Sequence, residues 1–173
     1  MNLLTHHVLR DHVLLGGVAS LLLLPCLGPL GSFLFWLANI FVDADHYLHF
    51  LYACRGKSWG AGEMFRFHQT LFDNIRRPDF LAIEIFHTIE FLTLFGVLSL
   101  WAGNWMIPVF WGCIFHMLVD GVHLGRQGLL FKRVHSFVEY GIRRHRLMQK
   151  GLHPDWVMDG SPLPMVQGSR TAG

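Results

Sequence analysis

The side chains best able to do chemistry fall in four short groups: His6 and His7; Asp43, Asp45, His46 and His49; Glu84, His87 and Glu90; and His116, Asp120 and His123. Each lies within or at the end of an apolar stretch. There an ionisable group is expensive and marks a functional site until a partner is named. His116 and Asp120 are spaced i, i+4, with His123 at i+7, so all three share one helical face. Glu84, His87 and Glu90 step by three along a drifting face, and His49 lies one turn beyond His46 in the run that begins Asp43-Ala44-Asp45-His46. A helical His–carboxylate pair supplies two ligands to one metal, or one ligand and a partner that orients it. Histidine and carboxylate ligands without thiolates suit zinc first, with manganese or iron as related choices. Such an ion lowers the pKa of its bound water and polarises a substrate oxygen. On this chemistry Asp45, His46, His87, His116 and Asp120 hold one or more divalent ions. Asp43 or Glu90 is the general base or an orienting partner.

Plainer roles compete with each of these. Asp43-x-Asp45 can simply cap a helix end, and Glu84 can face the headgroups. A single intramembrane His or Asp can be a structural hydrogen bonder. His6, His12, His135, His145 and His153 read as solvated or interfacial, while His68 stands between a place in the site and a place beside it. The combination of groups is what favours metal binding.

The elements that must position these residues are apolar blocks at 13–24, 30–42, 81–101 and 105–124, in a chain that is 52% hydrophobic and 15% charged. A soluble domain carries about 25% charged residues, so this chain is short of them. The last two blocks are long enough to cross a hydrocarbon core of about 30 Å. The first two join through Pro25-Cys26-Leu27-Gly28-Pro29-Leu30-Gly31, which reads as a tight reversal. The expectation is therefore an all-α polytopic membrane protein with four transmembrane helices in two hairpins. All fourteen Lys and Arg residues then fall on one side of the bundle, and the turns at 25–31 and 102–108 carry none. By the positive-inside rule that side, with both termini, is cytoplasmic. The basic charge faces anionic headgroups, and no nucleic-acid-binding motif is present.

Depths along the four blocks agree. His87 and His123 each lie 15 residues from the second turn, Glu90 and Asp120 each lie 12, Asp45 lies 15 after Leu30, and His7 lies 18 before Pro25. At about 1.5 Å per residue, all four spans put their ligand chemistry in one cytoplasmic layer. Segments 63–77 and 129–149 read as amphipathic cytoplasmic interfacial helices. Residues 1–150 form one membrane-embedded domain and 151–173 a flexible tail. The first block makes a poor signal peptide, because Asp11 and His12 offset Arg10 and no A-x-A site follows. The scattered Cys26, Cys54 and Cys113 imply neither a disulfide framework nor a thiolate metal site.

An N-terminal His, Asp43-x-Asp45-His46 ending a span, Phe86-His87-x-x-Glu90 and His116-x-x-x-Asp120 together resemble the small bacterial proteins called membrane-bound metal-dependent hydrolases. The resemblance covers about residues 6–124 and implies His7, Asp43, Asp45, His46, His87, His116 and Asp120 as the site. Much of that family carries a second His and a Ser near the third motif; here Glu90 stands in that place, and Phe67-His68-Gln69-Thr70 looks like a remnant. The expected function is metal-dependent hydrolysis at the cytoplasmic face of the bacterial inner membrane, on a lipid or lipid-linked phosphoester. Membrane lipids are the expected partners. The rivals are a membrane di-iron oxygenase of the desaturase or hydroxylase kind, and a non-enzymatic protein with a structural metal or polar cluster. The oxygenases use HxxxH and HxxHH boxes, of which only His46-x-x-His49 is an approximation.

Overall fold

The computed structural model describes the backbone of residues 4–159 and the side chains of residues 10–158, and among them there is helix and no strand. The first helix, α1 (Leu4–Phe41), is two antiparallel arms reversed at Gly28, whose φ of 68° and ψ of 173° leave the helical region. Glycine enters that region without a Cβ clash, and the prolines at 25 and 29 flank the break. Polar side chains stitch the arms together. Ser20 Oγ donates to Ser32 O at 2.7 Å, Trp36 Nε1 to Val13 O at 3.0 Å and Asn39 Nδ2 to His12 O at 2.7 Å.

After a break at Val42–Asp43 the chain continues as α2 (Ala44–Ala53), then α3 (Ala61–Asp73), α4 (Ile89–Trp101), α5 (Met106–Arg126), α6 (Phe137–Gln149) and the short α7 (Trp156–Asp159). The second arm of α1 runs parallel to α5 in close register. Gly31 faces Pro108, Phe35 and Ala38 face Gly112, and Asn39 O accepts from His116. Both reversals therefore lie at the same end of the bundle. A Cβ on Gly112 would stand 2.3 Å from Phe35 O, so only glycine lets these backbones approach. Small residues serve this purpose wherever apolar helices pack closely. Two segments, residues 10–53 and Met106–Arg126, are long and apolar enough to cross a membrane, and α4 is a shorter apolar helix.

The third apolar block departs from expectation. Residues 81–101 read as one continuous span, but helix begins only at Ile89, preceded by irregular backbone and a 3-10 turn at Ile85–His87. Thr88 caps α4 by accepting from Phe91 N, and the Phe86 N–H is taken by Asp45 Oδ2 at 2.9 Å. A side chain from α2 thus replaces the helical partner of that backbone group.

The interfacial helices also differ in extent. The helix expected over 63–77 is α3, ending at Asp73. The one expected over 129–149 starts only at Phe137, capped by Ser136, whose hydroxyl accepts from Val138 N and Glu139 N. The chain from Pro154, read as loose, instead buries Pro154, Trp156 and Val157. Trp156 and Val157 join Leu71, Ile75, Phe80, Leu124 and Leu129 in a core beneath the bundle. The rest of the tail lies outside the described residues.

Candidate metal centre

Five imidazoles form a continuous row. Ring centroids step 3.9 Å from His12 to His116, 5.1 Å to His87, 5.5 Å to His46 and 4.7 Å to His68. They come from the first arm of α1, from α5, from the 3-10 turn, from α2 and from α3. Asp43, Asp45, Glu84 and Asp120 converge on the same row, with Arg133 as the one Lys or Arg paired to these carboxylates among the described residues.

The hydrogen bonds behind the rings decide what the row presents. His116 Nδ1 lies 2.7 Å from Asn39 O. A carbonyl only accepts, so Nδ1 carries the proton and donates, leaving a lone pair on Nε2. His87 Nδ1 lies 3.0 Å from Asp45 Oδ2, a carboxylate oxygen, so the same argument puts a proton on Nδ1 and, in the neutral ring, leaves Nε2 bare. The two Nε2 atoms face each other at 3.2 Å. Asp43 Oδ1 lies 3.4 and 3.9 Å from them, and Asp120 Oδ2 3.9 and 3.6 Å, for His116 and His87 respectively.

The two Nε2 atoms thus lie beside two carboxylate oxygens, of which Asp120 Oδ2 also accepts from Arg133 Nη1. Ligands about 2.0–2.1 Å from a tetrahedral zinc stand about 3.3–3.4 Å apart, close to the shorter of these separations. An imidazole whose other nitrogen donates to a carboxylate or carbonyl is the usual arrangement of a metal-bound histidine.

Asp120 is itself held from two sides, by His12 Nε2 at 3.0 Å and Arg133 Nη1 at 2.8 Å. Arg133 also pairs with Glu84, whose Oε1 lies 2.6 Å from His46 Nδ1. The loop carrying Arg133 is fixed by Arg143, which donates to Phe131 O at 2.9 Å and Arg133 O at 3.3 Å. Burial pushes the Arg133 guanidinium below its ordinary value, while Asp45 and Asp43 pull it back up. His68 donates from Nε2 to His46 O at 2.7 Å. Burial, and then the nearby His46, push His68 down to about 3, so it is a neutral imidazole near pH 7.

The row borders a cavity of about 400 Å³. Asp43, His46, His68, Glu84, Asp120, His123 and Arg133 line its polar end, and Ile40, Phe41, Met64, Leu71, Phe72 and Phe80 line its apolar walls.

Of the residues expected in the site, Asp43, Asp45, His46, His87, His116 and Asp120 come together. Asp45 lies behind His87, where it orients that ring, and Asp43 stands among the donor atoms where a general base was expected. Glu90, the other expected base, does not join them. Its carboxylate accepts from Ser136 Oγ at 2.5 Å, tying α4 to the start of α6, and it lines a separate surface depression with Ile89 and Thr93. The side chain of His7 lies outside the described residues.

The N-terminal imidazole in the cluster is His12, which was read as solvated and is fully buried. Glu84, one of the chemistry-bearing groups that could also face the headgroups, and Arg133, counted only among the cytoplasmic basic residues, are also part of the cluster. Depth along the helix could have found His12, because it lies 13 residues before Pro25, level with Asp120 at 12 after Pro108. His49 instead turns toward the lower core, with Nε2 3.1 Å from Val157 O. Comparisons with protein-family models, curated proteins and solved structures find no match to this chain.

Proposed function

We propose that this protein is a membrane-embedded, metal-dependent hydrolase acting at the cytoplasmic face on a lipid or lipid-linked phosphoester. The observation that carries the reading is the pair of Nε2 lone pairs at 3.2 Å, flanked by the Asp43 and Asp120 carboxylates. In neutral rings the two Nε2 atoms are acceptors facing one another, and a cation between them would relieve that repulsion, Arg133 already serving Asp120. His87, His116, Asp43 and Asp120 are the residues that would hold it. When bound, a zinc or manganese ion supplies a water of lowered pKa and a Lewis-acid contact for a phosphoryl oxygen.

The protein's own groups do the rest. Asp45 and the Asn39 carbonyl keep both rings in the tautomer that offers Nε2. His12 and Arg133 fix the rotamer of Asp120. The cavity supports the substrate class, because a volume of about 400 Å³ with apolar walls and a charged end fits an amphiphile. A hydrocarbon chain would lie against Phe41, Met64 and Phe72, and a phosphate would meet Arg133 and the metal.

The membrane reading rests on exposed apolar side chains along every arm, including Leu21, Leu22, Leu30, Leu94, Leu100 and Leu118, each at least 60% exposed. A water-soluble surface rarely carries so large an apolar area. Four spans, with α4 as a short one beside the irregular segment, agree with this belt and with the one-sided distribution of basic residues. Non-helical backbone at membrane depth is tolerated where protein buries it or it lines a cavity, and the segment before α4 supplies Ala82 and Glu84 to the cavity wall.

The test is an anaerobic assay of the purified protein over phospholipids and prenyl phosphates, with zinc-loaded and iron-loaded forms compared. Release of phosphate or headgroup by the zinc form is expected. Activity confined to iron with oxygen would replace hydrolysis by oxygenation. A protein that binds no ion would leave a structural cluster in which a shared proton joins His87 to His116.

A further inference from the structure

The row of imidazoles is too long for one ion. An ion bound at about 2.0–2.1 Å reaches donor atoms standing about 3–4 Å apart. His87 and His116 meet that condition around Asp43 and Asp120. His68 does not share it, since its ring lies beyond His46, which in turn lies 5.5 Å from the His87 ring. Yet His46, His68 and Glu84 form a second group, whose donor atoms lie within 4.8 Å of one another.

The local chemistry of this second group repeats that of the first. His68 spends its Nε2 proton on the His46 carbonyl, which leaves Nδ1 as a lone pair. The Glu84 side chain is 9% exposed. His46 Nδ1 stands 2.6 Å from Glu84 Oε1 but is buried without a hydrogen bond of acceptable angle. Two ligand-type atoms are therefore in contact without a hydrogen bond that would account for it.

The two groups also touch. Asp43 Oδ1 lies 3.4 Å from His46 Nε2 and 3.4 Å from His116 Nε2, so one carboxylate oxygen sits between the imidazoles of both.

We infer that the centre binds two divalent ions, the second held by His46, His68 and Glu84 beside the cavity. The inference rests on the proposed metal-dependent reading and adds to it. His68 and Glu84 lie outside the residues that the family resemblance implies, and His46, His68 and Glu84 all face the cavity, where the second ion would meet a phosphoryl oxygen first.

The test uses the full chain without a histidine tag, stripped with chelator, reloaded with manganese and desalted. Metal is counted per chain by elemental analysis, and the Mn²⁺ spectrum is recorded by electron paramagnetic resonance. Two ions per chain with a spin-coupled spectrum are expected for the unaltered protein, a result that needs no variant. His68→Ala and His68→Gln should each fall to one ion per chain with an uncoupled six-line signal. One ion per chain in the unaltered protein, unchanged by His68→Ala, overturns the second site and leaves the metal-dependent reading standing. No ion at all removes both.

Discussion

Asp45 offers the sharpest separation between holding a metal and orienting what holds it. Its Oδ2 accepts from Phe86 N at 2.9 Å and from His87 Nδ1 at 3.0 Å, and the residue is buried. Asp45→Asn keeps the shape and an accepting oxygen but removes the charge. A charge-assisted hydrogen bond is about twice as strong as a neutral one, so the bond to His87 loses about 1 kcal/mol. His87 then holds its Nδ1–H tautomer less firmly, and affinity for the ion should fall about 10-fold or somewhat less. Asp45→Ala removes the acceptor altogether and leaves two buried N–H groups unpaired. The loss should approach about 100-fold, the upper end for partners that stand behind a ligand. The assay is competition for zinc against a chromogenic chelator in detergent micelles, read as both affinity and number of ions. Stoichiometry should hold in Asp45→Asn while affinity drops. Unchanged affinity would refute the tautomer argument, and loss of an ion would make Asp45 a ligand.

Four further outcomes follow from the same geometry. His12→Ala frees one side of Asp120 and should weaken metal binding about 10-fold in the same chelator titration. Gly112→Ala places a methyl against Phe35 O and should destabilise the bundle by about 1–3 kcal/mol, seen as a lower apparent Tm by tryptophan fluorescence. A cysteine introduced at Asn104 should be labelled from outside intact cells by an impermeant maleimide, and one at Gly60 or Lys150 should not; the reverse pattern would overturn the topology. Arg77 donates to both oxygens of Asp79 at 2.9 and 2.8 Å and holds its carboxyl below the ordinary value. That stabilisation is complete above about pH 4 and is lost as pH falls through the lowered folded value, so Tm should drop less between pH 4 and 2 in Asp79→Asn than in the unaltered protein.

The hairpins were legible because their signals are local. Gly28 between two prolines reads as a reversal, and the long apolar run of α5 needs no partner to be recognised as helix. The unwound stretch before α4 was not legible, since its residues are as apolar as the helix that follows. What unwinds it is a partner 41 residues away, Asp45, taking the Phe86 N–H. Burial of Trp156 and Val157 was hidden for a similar reason: three prolines after residue 153 describe a chain that cannot be regular, and not one that cannot pack. The amphipathic pattern over 129–149 hid the loop before Ser136, and with it the delivery of Arg133 into the site.

Residue type and spacing identified the carboxylates and imidazoles on α2 and α5, because i, i+4 pairing on one face is itself a geometric statement. They failed where the partner was long-range. Glu90 had the right type and depth, but its direction is set by Ser136, 46 residues on. His12 has the right depth, level with Asp120, but charged neighbours; Arg10 is exposed while His12, two residues on, is fully buried. In a helix that packs on one side, immediate neighbours in sequence say little about burial, and distance from the turn says more. Among apolar helices a polar side chain turned outward has no water to meet, so its depth nearly fixes which polar partners it can have. The layer shared by His12, Asp43, His87, His116 and Asp120 follows from that constraint.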